Sequence, residues 1–302
     1  MALEQVATFP GTDVIEHFEI DSTETGARYA VAVVLPAAYL FGETVPVIYL
    51  PDGNMAINRL HGVATSHMRV SDEANAPVQP SIQVMIGYPA DQVPYMMALR
   101  NRDLMPPSEP YSDRYDAFLA KHIPLDSSAF PPDIKEPYFR HLRNGSNDRF
   151  QAFIEKELHP EIADRYRVRD DAVGLFGYSF GGLFVLSAFS RGSEVITRFG
   201  AGSPGILVPD SRVHSLYADR VERSIAPTRP QHLHVTINDH ELVGPTALYR
   251  AMGIEVMRFI DTMQTRPIDG VALTTRIVLD HDHVTGTHTA YESYLRTCYP
   301  AD

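Results

Sequence analysis

Gly177-Tyr178-Ser179-Phe180-Gly181 constrains this chain more than any other stretch. An apolar run, Asp171 to Phe176, leads into it, and a second, Gly182 to Phe189, leads out. The first has the length of a buried strand; the second is longer, lacks turn residues and reads as a buried helix. A strand, a sharp turn and a helix around Gly-x-Ser-x-Gly is the context of a nucleophile elbow. Glycines on either side let the backbone turn without Cβ clashes. The serine then stands at a helix N-terminus, where free N–H groups can hold a developing oxyanion. The same pattern also suits a serine that only caps a helix. Partners elsewhere in the chain must decide between the two.

A chain of 302 residues with 44% hydrophobic content can bury a large α/β core without covalent staples. Its net charge of −12 argues against a nucleic-acid partner or an anionic membrane surface. Cys298 is the only cysteine, which excludes an intrachain disulfide. Met1 to Gln5 has neither the basic region nor the apolar core of a signal peptide. No apolar run approaches the roughly 18 residues of a membrane span. These features lead to the expectation of a cytoplasmic protein with no membrane partner. Neither repeats nor a composition break divide the chain, so residues 1–302 are expected to form a single domain. Whether it forms a homo-oligomer is left open.

Strands are expected at Val14–Ile20 and Arg28–Leu35, pairing antiparallel, and at Val45–Leu50 and Ser81–Gly87. From Met105 to Asn147 the pattern gives way to scattered prolines and aromatics. This part reads as an ordered excursion that caps the domain or walls a pocket. Asp148–Arg165 has apolar residues at helical spacing. Beyond the elbow, strands at Thr197–Gly202, Gln231–Ile237 and Val271–Leu279 alternate with helices at Ser211–Ile225, Thr246–Thr265 and Thr289–Cys298. Such alternation implies a mostly parallel central sheet with helices on both faces.

A reactive serine needs a base, and the base an orienting acid. On a strand–turn–helix elbow these follow in the order serine, acid, histidine at strand ends. After the strand ending at Ile237 come Asp239 and Glu241; Glu241 is the first choice and Asp239 the alternative, either of which could instead cap the following helix. After the last strand, His281, His283 and His288 compete for the base. If the strand stayed extended, His281 and His283 would point the same way. No metal site is expected, because His232, His234 and these three histidines lack a ligand framework. No cofactor is expected either. The oxyanion donors would be the amide of Phe180 and one from the Asp52-Gly53-Asn54 loop.

Several ordered motifs together resemble the esterase D-like esterase family of the α/β-hydrolase superfamily, which includes trilactone siderophore esterases and is related to feruloyl esterases, S-formylglutathione hydrolases and mycolyltransferases. They are Val47–Asn54, Ile86–Pro89, Arg100–Pro106, Asp148–Leu158, Gly177–Gly182 and Ser203-Pro204. The resemblance implies an α/β-hydrolase fold with a long Pro-rich insertion. It implies hydrolysis of a small-molecule carboxylic ester or lactone through an acyl-enzyme on Ser179, with His283 as base, Glu241 as acid, and Asn54 and Phe180 as oxyanion amides. An acyltransferase or thioesterase on the same residues, or a silent binding protein on the same scaffold, are the competing readings. Candidate substrate contacts are Tyr178, Arg102, Tyr111 and Tyr138, with Tyr115, Phe118, Phe130 and Phe139 as further lining. Two departures stand out. The stretch after Asp103 is long and proline-rich, which implies a remodelled pocket. Asn54 stands where siderophore esterases tend to have a basic residue, which counts against an anionic, catecholate-type substrate.

Overall fold

The computed structural model of the chain describes residues 14–62, 78–111, 115, 123 and 125–301. Phe118 and the Met1–Gln5 segment lie outside the described residues. The described chain has an α/β-hydrolase fold. Its sheet contains β1 (Val14–Asp21), β2 (Arg28–Leu35), β3 (Val45–Leu50), β4 (Ile82–Gly87), β5 (Val168–Tyr178), β6 (Arg198–Gly202), β7 (Gln231–Asn238) and β8 (Val271–Val278). They lie in the order β1-β2-β4-β3-β5-β6-β7-β8. β1 pairs antiparallel with β2, and β2 with β4; every later pairing is parallel.

β3 and β4 are buried along their whole length, as near-continuous apolar runs should be when helices cover both sheet faces. The period-2 alternation of a strand divides β3 between two cores. Val47 and Tyr49 join Leu183, Phe184 and Phe189 of helix Phe180–Arg191. Ile48 and Leu50 join Tyr291, Tyr294 and Leu295 of helix Thr287–Cys298. β5 starts earlier than the apolar run suggested, because Val168 pairs with Val45 before a register shift.

Residues 147–165 form one helical run with a π turn at Ile154–Leu158. Pro160 follows directly. It has no N–H to continue the ladder, and a widened turn is the usual accommodation. Among the described residues, the sequence reading does not anticipate helices Gly53–Arg59, Met96–Leu104 and Lys135–Arg143, nor the single turns Ala37–Leu40 and His240–Val243. Helix Lys135–Arg143 lies inside the excursion, with Pro137 in its first turn, where a missing N–H costs nothing.

The excursion is tied at its base. Ser146 and Asn147 N–H groups donate to the carbonyls of Arg102 and Met105 at 2.6 and 3.2 Å. Asn147 Nδ2 reaches the Leu104 carbonyl at 3.1 Å. Further along, Glu109 caps a helix from a distance. It accepts from Ser211 Oγ at 2.5 Å and from the Arg212 amide at 3.0 Å, at the start of helix Arg212–Glu222. Burial raises the Glu109 carboxyl to about 7, against the opposing pull of those two donors. A folded-state acid raised this far holds its proton while the unfolded chain has lost it. Its contribution is therefore full below about pH 4.5 and is lost as pH rises to about 7. Glu109→Gln should be nearly neutral in Tm at about pH 5 and stabilising by on the order of 2 kcal/mol at about pH 8, measured by thermal melts of both proteins across that range.

Candidate active site

The elbow forms where β5 ends. Ser179 has φ 59° and ψ −119°, a backbone state that costs a non-glycine residue on the order of 1–3 kcal/mol. The close approaches that hold it fall at Gly177 and Gly182. A Cβ on Gly177 would collide with the Gly181 carbonyl oxygen, and one on Gly182 would lie 2.8 Å from that of Gly202. Phe180 opens helix Phe180–Arg191, so its amide has no intrahelical acceptor.

Ser179 Oγ lies 2.9 Å from His283 Nε2, and His283 Nδ1 lies 2.7 Å from Glu241 Oε1. The three side chains come from the ends of β5, β7 and β8. Glu241 sits in the single turn His240–Val243 after β7 and is 2% exposed. Its other oxygen accepts from Ser203 Oγ at 2.8 Å and from the Asn238 amide at 3.1 Å. The His283 ring is held between two tyrosines, with Tyr249 stacked at 4.6 Å and Tyr178 tilted at 5.4 Å between ring centroids.

The rival candidates lie elsewhere. Asp239 caps His240 and accepts from the amides of Asp280 and His281; the Asp280 amide is the chief cause of its lowered pKa. His281 faces Thr285 and Thr289, and His288 is exposed. The strand does not continue extended to these histidines: it ends at Val278, and Asp280 turns left-handed at φ 62°. His281 and His283 therefore diverge. His232 and His234 share the hydroxyl of Thr274. Among the described residues no group of three or more His, Cys, Asp or Glu is placed to hold a metal ion.

A cleft of about 230 Å³ opens beside Ser179 and His283. Leu50, Met55, Ala56, Leu60 and Phe176 make its apolar wall. Arg59 stands exposed at the rim. Arg100 and Asp52 also line it, joined by two hydrogen bonds of 2.9 and 2.8 Å. The Arg100 guanidinium lies 5.4 Å from the centre of the Phe180 ring.

Of the four expected substrate contacts, one lines the cleft. Tyr178 lines the cleft, but its hydroxyl is engaged by Asn238 Nδ2 at 2.7 Å. Arg102 turns away and is bound to Asp103 by two hydrogen bonds of 2.7 and 2.8 Å. The reason is helical geometry: in Met96–Leu104, residues two apart face opposite sides, so Arg100 enters the cleft and Arg102 does not. Tyr138 is 1% exposed, packed in the core beside Phe139. Tyr111 packs edge-on against Tyr115 and lies under Arg143. No described residue of the excursion lines the cleft.

Asn54 stands in the first turn of helix Gly53–Arg59. Its side chain is used up by the Tyr88 peptide, accepting from the amide at 2.7 Å and donating to the carbonyl at 2.9 Å. The basic groups facing the cleft come from helix Gly53–Arg59 and helix Met96–Leu104 instead. Arg59, Arg100, Asn238, Ser203 and Tyr249 were not foreseen as site residues. Only a helix assignment around Arg100 could have separated it from Arg102.

Known proteins similar to this chain include esterases. The family described as "Putative esterase" matches residues 125–217. Ferri-bacillibactin esterase BesA of Bacillus subtilis is 29% identical over 203 residues, which is 66% of this chain and 60% of that protein. The chain spans between 48% and 60% of the length of the curated relatives it matches. Among solved structures, the BES protein from Bacillus cereus superposes with a TM-score of 0.74 at 18% identity, covering 99% of both chains. Siderophore hydrolase EstB from Aspergillus nidulans gives 0.71 at 20% identity, over 98% of this chain and 97% of its own. The likeness to esterases read from the motifs is thus found again by both sequence and fold.

Proposed function

We propose that the chain is a serine esterase acting on a small-molecule carboxylic ester or lactone. The observation that carries this is the unbroken chain of hydrogen bonds Ser179–His283–Glu241 at the edge of an apolar cleft. In the proposed reaction Ser179 Oγ attacks the ester carbonyl while His283 Nε2 takes its proton. Collapse of the tetrahedral intermediate expels the alcohol, which receives that proton and leaves an acyl group on Ser179. Water, deprotonated by His283, then attacks the acyl carbonyl and restores the serine. Glu241 holds the imidazole with Nε2 toward the serine. The amide of Phe180, with that of Asn54 in the first turn of helix Gly53–Arg59, receives the oxyanion, each such donor contributing about 3 kcal/mol to barrier lowering. Residues 1–302 act as a single domain in this reading, with the 105–147 excursion as a surface cover beyond the cleft. A single, buried cysteine makes no use of disulfides and fits a cytoplasmic location.

One relative is a ferri-bacillibactin esterase and one structural neighbour a siderophore hydrolase, and this chain is proposed to take a related class of ester. The absence of a basic side chain at Asn54 no longer argues against an anionic one, since Arg59 brings a cation to the rim of the cleft beside Ser179. Arg59→Ala should lower kcat/KM by about fivefold for a p-nitrophenyl monoester of a dicarboxylic acid and leave p-nitrophenyl acetate unaffected, the size expected of one exposed charge. Equal losses on both esters in steady-state assays would remove Arg59 from substrate selection.

A further inference from the structure

Asn238, the last residue of β7, is completely buried. Its backbone N–H donates to Glu241 Oε2, and its Nδ2 lies 3.0 Å from Glu241 Oε1. Together with Ser203 Oγ and His283 Nδ1, that gives Glu241 four donors, two of them from Asn238. The same Nδ2 lies 2.7 Å from the Tyr178 hydroxyl and 2.9 Å from Ser203 Oγ. A side-chain amide nitrogen carries two hydrogens, so three acceptors compete for them, while Asn238 Oδ1 has no hydrogen-bond partner among the described residues. On its other side, Asn238 Oδ1 is pressed against the loop that carries His283. A Cβ on Gly286 would collide with it.

We propose that Asn238 is a positioning residue for the reaction, an inference that rests on the roles proposed above for Ser179, His283 and Glu241. The carboxylate has about four lone-pair directions. Asn238 occupies one on each oxygen and Ser203 another, so the direction left on Oε1 points at His283 Nδ1. Asn238 also holds the hydroxyl of Tyr178, whose ring rests on His283. One side chain thereby fixes both the acid behind the imidazole and a surface beside it. A half-satisfied buried network loses direction as well as donors.

The test compares Asn238→Asp, which keeps the shape, and Asn238→Ala with the wild-type chain. Three readouts are needed: kcat and KM for p-nitrophenyl acetate across pH, Tm, and the far-downfield proton resonance of the imidazole N–H bound to a carboxylate. Both variants should lose kcat by on the order of 10–100-fold with KM within about twofold, as misdirected catalytic groups do. In Asn238→Asp the two buried carboxyls in contact share one proton, so less negative charge faces the imidazole and the acid limb of kcat/KM should move to lower pH. The downfield resonance should shift in Asn238→Asp and weaken in Asn238→Ala. Wild-type kcat with an unchanged resonance in both variants overturns the proposal. So does a loss of activity matched by loss of folded protein, with the resonance intact in what remains folded. Ser179→Ala run alongside separates the two levels: if it stays active, the esterase reading itself has failed; if it is inactive while Asn238→Asp is fully active, only the role of Asn238 has failed.

Discussion

Ser179→Ala should turn over p-nitrophenyl acetate on the order of 10⁵-fold more slowly than the wild-type chain, at unchanged fold. The size follows from the unit the serine belongs to. Removing the nucleophile leaves the histidine with nothing to activate, and the remaining rate comes from the oxyanion amides and binding alone. The fold should survive because Ser179 Oγ has one side-chain partner, His283 Nε2, and sits partly exposed. Alanine meets the same backbone strain at φ 59° as serine does, so no new cost arises there. The expected loss of stability is that of one hydrogen bond, about 1 kcal/mol. Circular dichroism and a thermal melt beside the kinetic assay separate a dead site from an unfolded chain.

Glu241→Gln should lower kcat by on the order of 10⁴-fold, while Asp239→Asn leaves it within about twofold. The first change is nearly isosteric, and Ser203 and the Asn238 amide can still donate to the side-chain oxygen. What fails is the link to His283 Nδ1 at 2.7 Å. A glutamine NH₂ placed there favours the tautomer with its hydrogen on Nε2, which cannot accept the serine proton. Asp239 holds the amides of His240, Asp280 and His281 and touches none of the three reacting groups. Its replacement should loosen the 279–283 loop and show in Tm more than in kcat. Steady-state kinetics of the two variants side by side check the pair, and reversed effects would move the acid to Asp239.

The two carboxylates also show where sequence reading runs out. Chain order alone left both open, since each lies just past β7. A single turn, His240–Val243, swings Glu241 inward to 2% exposure and leaves Asp239 outside as a cap, which chain order does not reveal. The histidine was undecided for a similar reason. A left-handed Asp280 breaks the extended geometry on which the comparison of His281 and His283 depended. Central strands were legible because β3 and β4 are nearly continuous apolar runs, and the elbow was legible because a strand and a helix flank it. The short helices Gly53–Arg59 and Met96–Leu104 were not, and with them went the cleft's two arginines. Aromatics such as Tyr138 look the same in sequence whether they line a pocket or fill a core. Only packing distinguishes them, and here it fills the core.

Covalent labelling with a fluorophosphonate, followed by intact mass and peptide mapping, tests the central claim most directly. The predicted result is a single adduct on Ser179, lost in Ser179→Ala and formed far more slowly in His283→Ala. A folded wild-type chain that stays unmodified, or an adduct at any other residue that persists in Ser179→Ala, would contradict it.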